Sequence, residues 1–404
     1  MNRKDCTDRR SWGPNTLSVH GPRSMRTPNG PLSPPIYQTA AFTFDSLEMV
    51  DGVWEGERPG YAYSRMGNPN HTQIEDSFAL WHGAEAAVCA ASGMAVLFAA
   101  LVALTDPGDG IILPRDLYGG TMNLARTELR RMDRRILIAD GPAPEAIEKA
   151  WDDGVRLLLV ESISNPLVRP ADIPRLAELC REHGMQLAVD NTMASPVLAR
   201  PLDFGAAVVM ESATKYLCGN SALIGGMLAG SQSTVDRCRE FLVNTGATLD
   251  PFAAWLMIHG MFTLGLRVRA ATHNAFSLAR FLQECPGVKR VHYPGLPSDP
   301  DHDLAARVLP GGAGAVLSFV LSGGRSAVNE MMDRLELVSF APTLGDVRTI
   351  ITHPATTSHR SLEPEELAAA GIEEGMVRVS VGIEDCRDIE GDFGSPSRRS
   401  TISR

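Results

Sequence analysis

The sequence predicts an α/β protein in which a mostly parallel sheet, covered by helices on both faces, is followed by a smaller C-terminal α+β domain. Three observations lead there. Between residues 110 and 210 short apolar runs alternate with helical patterns, the arrangement that builds a parallel sheet through crossover helices. A long helical stretch from 252 to about 284 ends the alternation, and shorter strands and helices follow Pro286 as far as Val381. Glu161, Asn165, Asp190, Ser212, Thr214 and Lys215 fall just past strand ends, which is where open α/β sheets bind ligands.

Taken in order, residues 1–60 are rich in Pro, Gly, Asn and Arg, and the run PNGPLSPPIY at 28–37 cannot be helical. Closely spaced prolines lack amide donors and clash with the preceding turn. We read 1–60 as an extended arm lying against another surface, such as a second subunit. Order begins near Tyr61. Thr72 and Glu75 have capping-box spacing and open a helix to about His82, with Gly83 placed to end it. After the apolar run 86–90, Ser92, Gly93 and Met94 start a buried helix over 95–104. The alternation then runs as strand 110–113, helix 121–131, strand 135–138, helix 144–151, strand 156–160, helix 173–183, and strands 186–189, 206–210 and 227–230. These elements place the α/β domain at 61–248 and the second domain at 249–390, and 391–404 has the composition of a disordered tail.

Composition narrows the function. At 404 residues, 44% of them hydrophobic, the chain can build two or three sizeable cores. A net charge of -10 with no basic stripe argues against nucleic acid as partner, and the arginine pairs 130–131 and 134–135 read as solvated helix surface. The seven cysteines are scattered without C-x-x-C spacing, so neither a disulfide framework nor a metal site is indicated. No apolar run reaches the length that spans a bilayer. A cytoplasmic protein with no membrane partner is expected.

Only four lysines occur, at 4, 149, 215 and 289, and Lys215 alone stands in apolar company, in ESATKYLCGNSALIGG at 211–226. Loss of hydration there lowers its pKa and frees the amine for Schiff-base chemistry with a carbonyl. A snorkelling or salt-bridged lysine at a strand end fits the local context equally well. The surroundings can be checked against an aldehyde cofactor that carries an aromatic ring and a phosphate. Asp190 is placed to keep a ring nitrogen protonated, although a capping aspartate would look alike. Gly93 and Met94 at a helix start, with Ser212 and Thr214, offer amides and hydroxyls to a phosphate. Tyr118 is an aromatic on the same sheet edge, available for stacking. Arg378, in VRVSVGIED at 377–385, points away from the valine face of its strand and can hold a carboxylate.

These residues resemble the pyridoxal-phosphate enzymes of cysteine and methionine metabolism: cystathionine γ-synthases, cystathionine lyases, methionine γ-lyases and homoserine-ester sulfhydrylases. The resemblance runs through TLSVH at 16–20, PPIY at 34–37, YAYSRMGNP at 61–69, Ser92–Met94, YGGT at 118–121, Asn165 with Pro166, DNT at 190–192, SATKY at 212–216, GLR at 265–267, TLG at 343–345, THPA at 352–355 and the Arg378 segment. It implies an aspartate-aminotransferase-like fold (fold type I) and pyridoxal 5'-phosphate as cofactor. Lys215 would bond the cofactor aldehyde and carry protons, Asp190 would hold the ring nitrogen, and Tyr118 would stack on the ring and protonate the leaving sulfur. Gly93, Met94, Ser212 and Thr214 would hold the phosphate, with Tyr63 and Arg65 reaching in from a neighbouring subunit of a homotetramer. Arg378, Asn165 and Thr343 would face a small amino-acid substrate.

The departures bear on the substrate. GNSA stands at 219–222 where the family reads Gly-His-Ser-Asp, and Pro342 and Ala62 stand where several cystathionine-cleaving members carry an acid. Without those acids the distal ammonium of cystathionine goes unpaired, which is costly. TLGD at 343–346 resembles methionine γ-lyases and some sulfhydrylases, while Gly120 stands where methionine γ-lyases carry a cysteine. The expected activity is therefore a methionine γ-lyase-like elimination. The alternatives are γ-replacement on an O-acylhomoserine, cystathionine cleavage, and a binding protein that has kept the fold without the catalysis.

Overall fold

The computed structural model describes residues 12–21, 30–360 and 363–394. Seven strands form the first sheet: β1 Ala86–Ala90, β2 Gly110–Pro114, β3 Arg135–Ala139, β4 Val155–Glu161, β5 Gln186–Asp190, β6 Val208–Ser212 and β7 Gly226–Gly230, in the order β1-β7-β6-β5-β4-β2-β3. Only β7 runs against the others. The apolar runs are continuous because both faces are covered. Ile111, Leu157, Leu159 and Val208 pack with the helices Gly93–Ala103 and Gln232–Thr245. Their neighbours Ile112, Leu158, Val160 and Val189 pack with the helices Pro144–Ala150 and Ile173–Glu182 on the other face.

The second sheet takes β8 Val288–His292, β9 Val316–Leu321, β10 Ser339–Phe340, β11 Ile350–Thr352 and β12 Met376–Ser380 in the order β10-β11-β12-β9-β8. Along β12, Val377 and Val379 enter the core with Leu317 and Phe319. Arg378 and Ser380 take the opposite face, and Ser380 Oγ accepts the Gly345 amide at 2.8 Å. That face is turned toward the carboxyl ends of the first sheet, because Ser318, opposite Arg378 in the ladder, donates to the Pro166 carbonyl at 2.6 Å. Helix Leu264–Glu284 joins the two cores: Leu264, Val268 and Ala271 pack with the first sheet, and Leu278 and Leu282 with the second. The first core thus extends past residue 248.

Several elements differ from expectation. The helix expected to open at Thr72 is Pro69–His82, because Asn68 supplies the cap through Oδ1 to the Asn70 amide. The helix read over 121–131 begins at Gly119 and passes into a π-turn at Ala125–Leu129. The strand read at 206–210 is Val208–Ser212, and its end pairs with Gly226. The single helix read over 252–284 is two, Pro251–Met261 and Leu264–Glu284. Arg267 donates to the Gly260 carbonyl at 2.7 Å, supplying a side-chain partner for that carbonyl where the helix turns. Within the expected arm, Pro14–His20 and Leu47–Trp54 are helical. Residues 391–394 belong to the helix Cys386–Gly394, where Asp392 accepts the amides of Glu336, Leu337 and Val338; residues 395–404 lie outside the described residues. Arg134, expected on the surface, is buried and donates to the carbonyls of Met132 and Thr105. Among the described residues no helix is long and apolar enough to cross a membrane, and no group of three or more His, Cys, Asp or Glu could hold a metal ion.

Glu75 ties these pieces beside the future site. Its carboxylate accepts the Cys89 amide at 3.0 Å and both ends of the Arg239 guanidinium at 3.1 and 2.9 Å, and Arg239 also donates to the Ala87 carbonyl. Edge strand β1 is thereby clamped between two helices just before it delivers Ser92 and Gly93. Removing one partner of a buried ion pair costs about 3–5 kcal/mol, and the Arg239 side chain keeps 34% of its exposure, which lowers the expectation to about 2–3 kcal/mol. Glu75→Ala should therefore lower the urea midpoint by that equivalent. An unchanged midpoint would remove the clamp from the determinants of the fold.

Candidate active site

A cavity of about 540 Å³ lies between the strand ends of the first sheet and the Arg378 face of β12. Five strand ends supply its walls. β1 leads to Ser92, Gly93 and Met94; β2 to Tyr118 and Thr121; β4 to Glu161, Ile163 and Asn165; β5 to Asp190, Thr192 and Met193; and β6 to Met210, Ser212 and Lys215. From the second domain come Pro342, Thr343, Leu344, Thr352, residues 356–358, Arg360 and Arg378.

Lys215 sits on the turn that follows β6, with its amide on the Ser212 carbonyl and its carbonyl on the Gly219 amide. The Thr343–Gly345 segment lies directly on this turn. Gly345 has φ +77°, and a Cβ there would stand 2.8 Å from the Tyr216 nitrogen, so no side chain fits. The Lys215 Nζ donates to Thr343 Oγ1 at 2.9 Å. Burial, and after it the Arg378 charge, lower its pKa to about 8. Arg378 is 4% exposed. Its guanidinium donates to Asn165 Oδ1 at 3.0 Å, the Thr343 carbonyl at 2.7 Å and Thr352 Oγ1 at 3.2 Å, while its Nε–H has no partner. Among the described residues no carboxylate lies within ion-pair distance of it. A buried guanidinium without a counter-ion is a prepared carboxylate site.

On the sheet side, Glu161 and Asp190 are neighbours in the β4–β5 ladder. Asp190 accepts the Thr192 amide at 2.9 Å, and burial raises its carboxyl to about 6. Glu161 Oε1 accepts the Tyr118 amide at 2.7 Å, and Oε2 has no partner. Burial first, and the Asp190 charge second, hold the Glu161 carboxyl well above its ordinary range. Two carboxyls this close do not ionise together easily. A cation between them and the cavity would relieve that.

The helix Gly93–Ala103 begins at the opposite wall. Ser92 caps it by accepting the Ala95 amide at 3.1 Å, and the first helical amides have no intrahelical acceptor. A Cβ on Gly93 would come within 2.8 Å of Ser212 Cβ. The turn thus lies flat on β6 and presents amides beside a hydroxyl, the setting that binds phosphate.

Other expected residues fall elsewhere. Thr214 is off the cavity wall, with its hydroxyl accepting the Gly225 amide at 3.2 Å. Tyr63 and Arg65 are away from this chain's own cavity: Tyr63 is 45% exposed, and Arg65 lies over its ring at 5.8 Å while donating to the Val243 carbonyl. Asn220 and Ala222 are exposed and do not line the cavity, whereas Pro342 does. Of the lining residues without an expected role, two carry a charged group, Glu161 and Arg360. The first carried a signal, since it ends a strand beside Asp190; the second, in ATTSHR, carried none.

A lysine amine with its pKa lowered to about 8, an acid for a ring nitrogen, an anion cradle and a guanidinium without a counter-ion among the described residues make a donor set that fits pyridoxal phosphate. Comparison with known proteins agrees. Residues 15–396 match the model for Cys/Met metabolism PLP-dependent enzymes. The chain belongs to this family. It is 40% identical over 378 residues to an O-succinylhomoserine sulfhydrylase of Pseudomonas aeruginosa, covering 94% of this chain and 93% of the relative. It is also 40% identical over 381 residues to an L-methionine γ-lyase of Pseudomonas putida, covering 93% and 95%. Cystathionine γ-synthase from Xanthomonas oryzae pv. oryzae, solved with aminoacrylate and cysteine, superposes with a TM-score of 0.89 at 34% identity over 95% of this chain and 97% of that one. As a member of the Cys/Met metabolism family, the chain has the type I fold and is a pyridoxal-phosphate-dependent enzyme of carbon–sulfur lysis or γ-replacement.

The lysine provides a test without the cofactor. Its folded pKa lies below the ordinary 10.5, so the unfolded chain binds more protons between about pH 8 and 10.5, and cofactor-free protein gains stability as pH rises through that window. Reductive methylation of Lys215 in cofactor-free protein, followed by mass spectrometry across pH, should titrate near 8, and Arg378→Gln should move the midpoint upward. A midpoint near 10.5 in the unaltered protein would contradict the desolvated amine.

Proposed function

We propose that the enzyme eliminates the γ-substituent of a sulfur-containing amino acid in the manner of a methionine γ-lyase, releasing a thiol, 2-oxobutyrate and ammonia. One observation carries the choice. Among the described residues the only carboxylates lining the cavity are Glu161 and Asp190, both at strand ends of the first sheet, so a thioether with an uncharged tail is served and a distal ammonium is not.

Bound pyridoxal phosphate supplies the electron sink that acidifies the protons on the carbons next to the amino group. The chain supplies everything else. Gly93, Met94 and Ser212 hold the phosphate, with Thr214 bracing the Gly225 turn behind them. Asp190 keeps a proton on the ring nitrogen. Arg378 takes the substrate carboxylate, held in plane by Asn165 and by the Thr343 carbonyl. Lys215, whose amine is largely neutral above about pH 8, accepts the α-proton, gives it up, and is then free to accept a β-proton. Tyr118 stacks over the site and hands a proton to the departing sulfur. Thr343, bonded by both cations, fixes the distance between carboxylate site and base.

Tyr63 and Arg65 complete the phosphate site of a neighbouring subunit in this reading, within a cytoplasmic homotetramer built as a dimer of dimers. Their exposure and their distance from their own chain's cavity support it. A second reading, γ-replacement on an O-acylhomoserine, is favoured by Arg360, a guanidinium on the cavity wall with no ion-pair partner among the described residues.

The primary test incubates the enzyme separately with methionine, cystathionine, O-acetylhomoserine and O-succinylhomoserine, with and without sulfide or cysteine. We expect 2-oxobutyrate and methanethiol from methionine. Absence of both, with homocysteine or cystathionine formed from an ester, would establish the second reading in its place. For the shared site, Tyr63→Phe and Arg65→Ala should each weaken cofactor retention, and mixing either with Lys215→Ala chains should restore activity to part of the hybrid population. Hybrids as inactive as their parents would rule out sharing.

A further inference from the structure

At the ends of β5 and β6 the residues that line the cavity alternate with residues whose side chains go to the back of the sheet. Asp190, Thr192, Met210 and Ser212 line the cavity. Asn191 and Glu211, set between them in sequence, turn the other way, toward the core that holds Val209 and Ala213. There they meet His82, the last residue of the helix Pro69–His82. His82 Nε2 lies 3.0 Å from Glu211 Oε1, and Asn191 Nδ2 donates to the same Oε1 at 3.0 Å and to the Ala199 carbonyl at 3.1 Å. All three side chains are buried, with Glu211 1% exposed and the others 0%. The Phe78 ring stands 4.6 Å from the imidazole. The chemistry set out above uses none of the three.

A lone carboxylate in this core would be an uncompensated buried charge, and so would a lone imidazolium. One proton held between them removes both charges, whichever partner carries it. Burial acts in that direction: it holds the Glu211 carboxyl well above its ordinary range and, with the Arg200 charge second, brings His82 down to about 3. The proton then sits on Glu211 and the imidazole accepts it. Among the described residues the charged groups facing the pair are Arg200 and Asp203, which bond each other at 2.9 Å beside His82, and Asp190 across the sheet. The strand ends are also tied to each other, with the Asn191 amide on the Met210 carbonyl and the Ser212 amide on Thr192 Oγ1, each at 2.8 Å.

We propose that His82 and Glu211 hold one proton between them as a positioning pair beneath the cofactor site: with Asn191 they fix the ends of β5 and β6 from behind, and they keep the back of the Asp190 strand uncharged, so that Asp190 can ionise against the cofactor's ring nitrogen. Burial already raises the Asp190 carboxyl to about 6, and a charge on Glu211 adds to that rise. A neutral pair withholds the addition. This holds for either reading of the reaction, since both need the same ring nitrogen.

Equilibrium dialysis of the loaded enzyme against pyridoxal phosphate, from about pH 5 to 8, measures cofactor retention in the unaltered protein, Glu211→Gln, His82→Gln, and the exchanged pair His82→Glu with Glu211→His. Retention by the unaltered enzyme should fall as pH drops through about 6, where Asp190 takes up a proton. Glu211→Gln puts a neutral amide in place of a neutral carboxyl and should leave that midpoint where it is. In His82→Gln the imidazole acceptor is gone and the new amide donates to a carboxylate, so Glu211 ionises behind Asp190 and the midpoint should rise by about one pH unit. The exchanged pair should bring it back. Other titrating groups of the cofactor and the cavity are common to all four proteins, so differences between them report the pair. A loss in His82→Gln that is equal at every pH makes the pair a packing feature and overturns the proposal. A midpoint that moves down in Glu211→Gln overturns it too, because Glu211 was then charged in the unaltered enzyme, and this variant decides alone if His82→Gln does not fold.

Discussion

Two cations converge on one threonine. Lys215 uses the Thr343 hydroxyl and Arg378 uses its carbonyl, and among the described residues neither has an ion-pair partner. Such an arrangement raises the energy of the empty site, because desolvated like charges repel and their hydration is lost. It persists because the sheets on either side are built independently: β6 delivers the lysine from one core, and β12 delivers the arginine from another. The Thr343–Gly345 segment is the joint between them, pressed onto the lysine turn so closely that residue 345 has no room for a side chain. A carboxylate bound at Arg378 would offset its charge, and that would raise the basicity of the lysine next to it. Anion binding at Arg378 and basicity at Lys215 would then be coupled through a single side chain.

The same logic works with opposite sign across the cavity. Glu161 and Asp190 are adjacent acids that resist double ionisation, and a protonated ring nitrogen would give Asp190 a charged partner. Glu161 meanwhile holds the Tyr118 amide, so the state of the acid pair reaches the backbone at Tyr118. The site thus separates its charges, with acids on the sheet and cations toward the second domain, and an amino acid bound between them is oriented by that field.

Much of this was legible in the residues. The parallel sheet could be read because strands covered on both faces become uninterrupted apolar runs, as at Ile111–Ile112 and Leu157–Val160. The cofactor-side residues could be read because they follow those runs directly. What escaped depends on contacts distant in sequence. Nothing local to 252–284 says that Arg267 will take the Gly260 carbonyl and divide the helix, and nothing near Arg134 says that Thr105 will bury it. Thr72 and Glu75 have the spacing of a capping box, yet Glu75 is spent on Arg239 and Asn68 caps the helix in its place. Asn220 and Ala222 attracted attention by departing from their relatives, but they lie outside this chain's cavity. Arg360 departs from nothing recognisable and reaches the wall only because the 354–360 segment folds back over the site.

One glycine deserves its own account in terms of reach. The Tyr118 ring lies back over its own helix, in space that a Cβ on Gly120 would enter at 2.5 Å, and the tyrosine remains 44% exposed. The absence of a side chain at 120 is thus a parking place for the ring. A side chain at 120 would take the place the ring occupies, and the tyrosine would have to turn elsewhere. How far this ring can swing is thus set by whether the residue two positions on has a β-carbon.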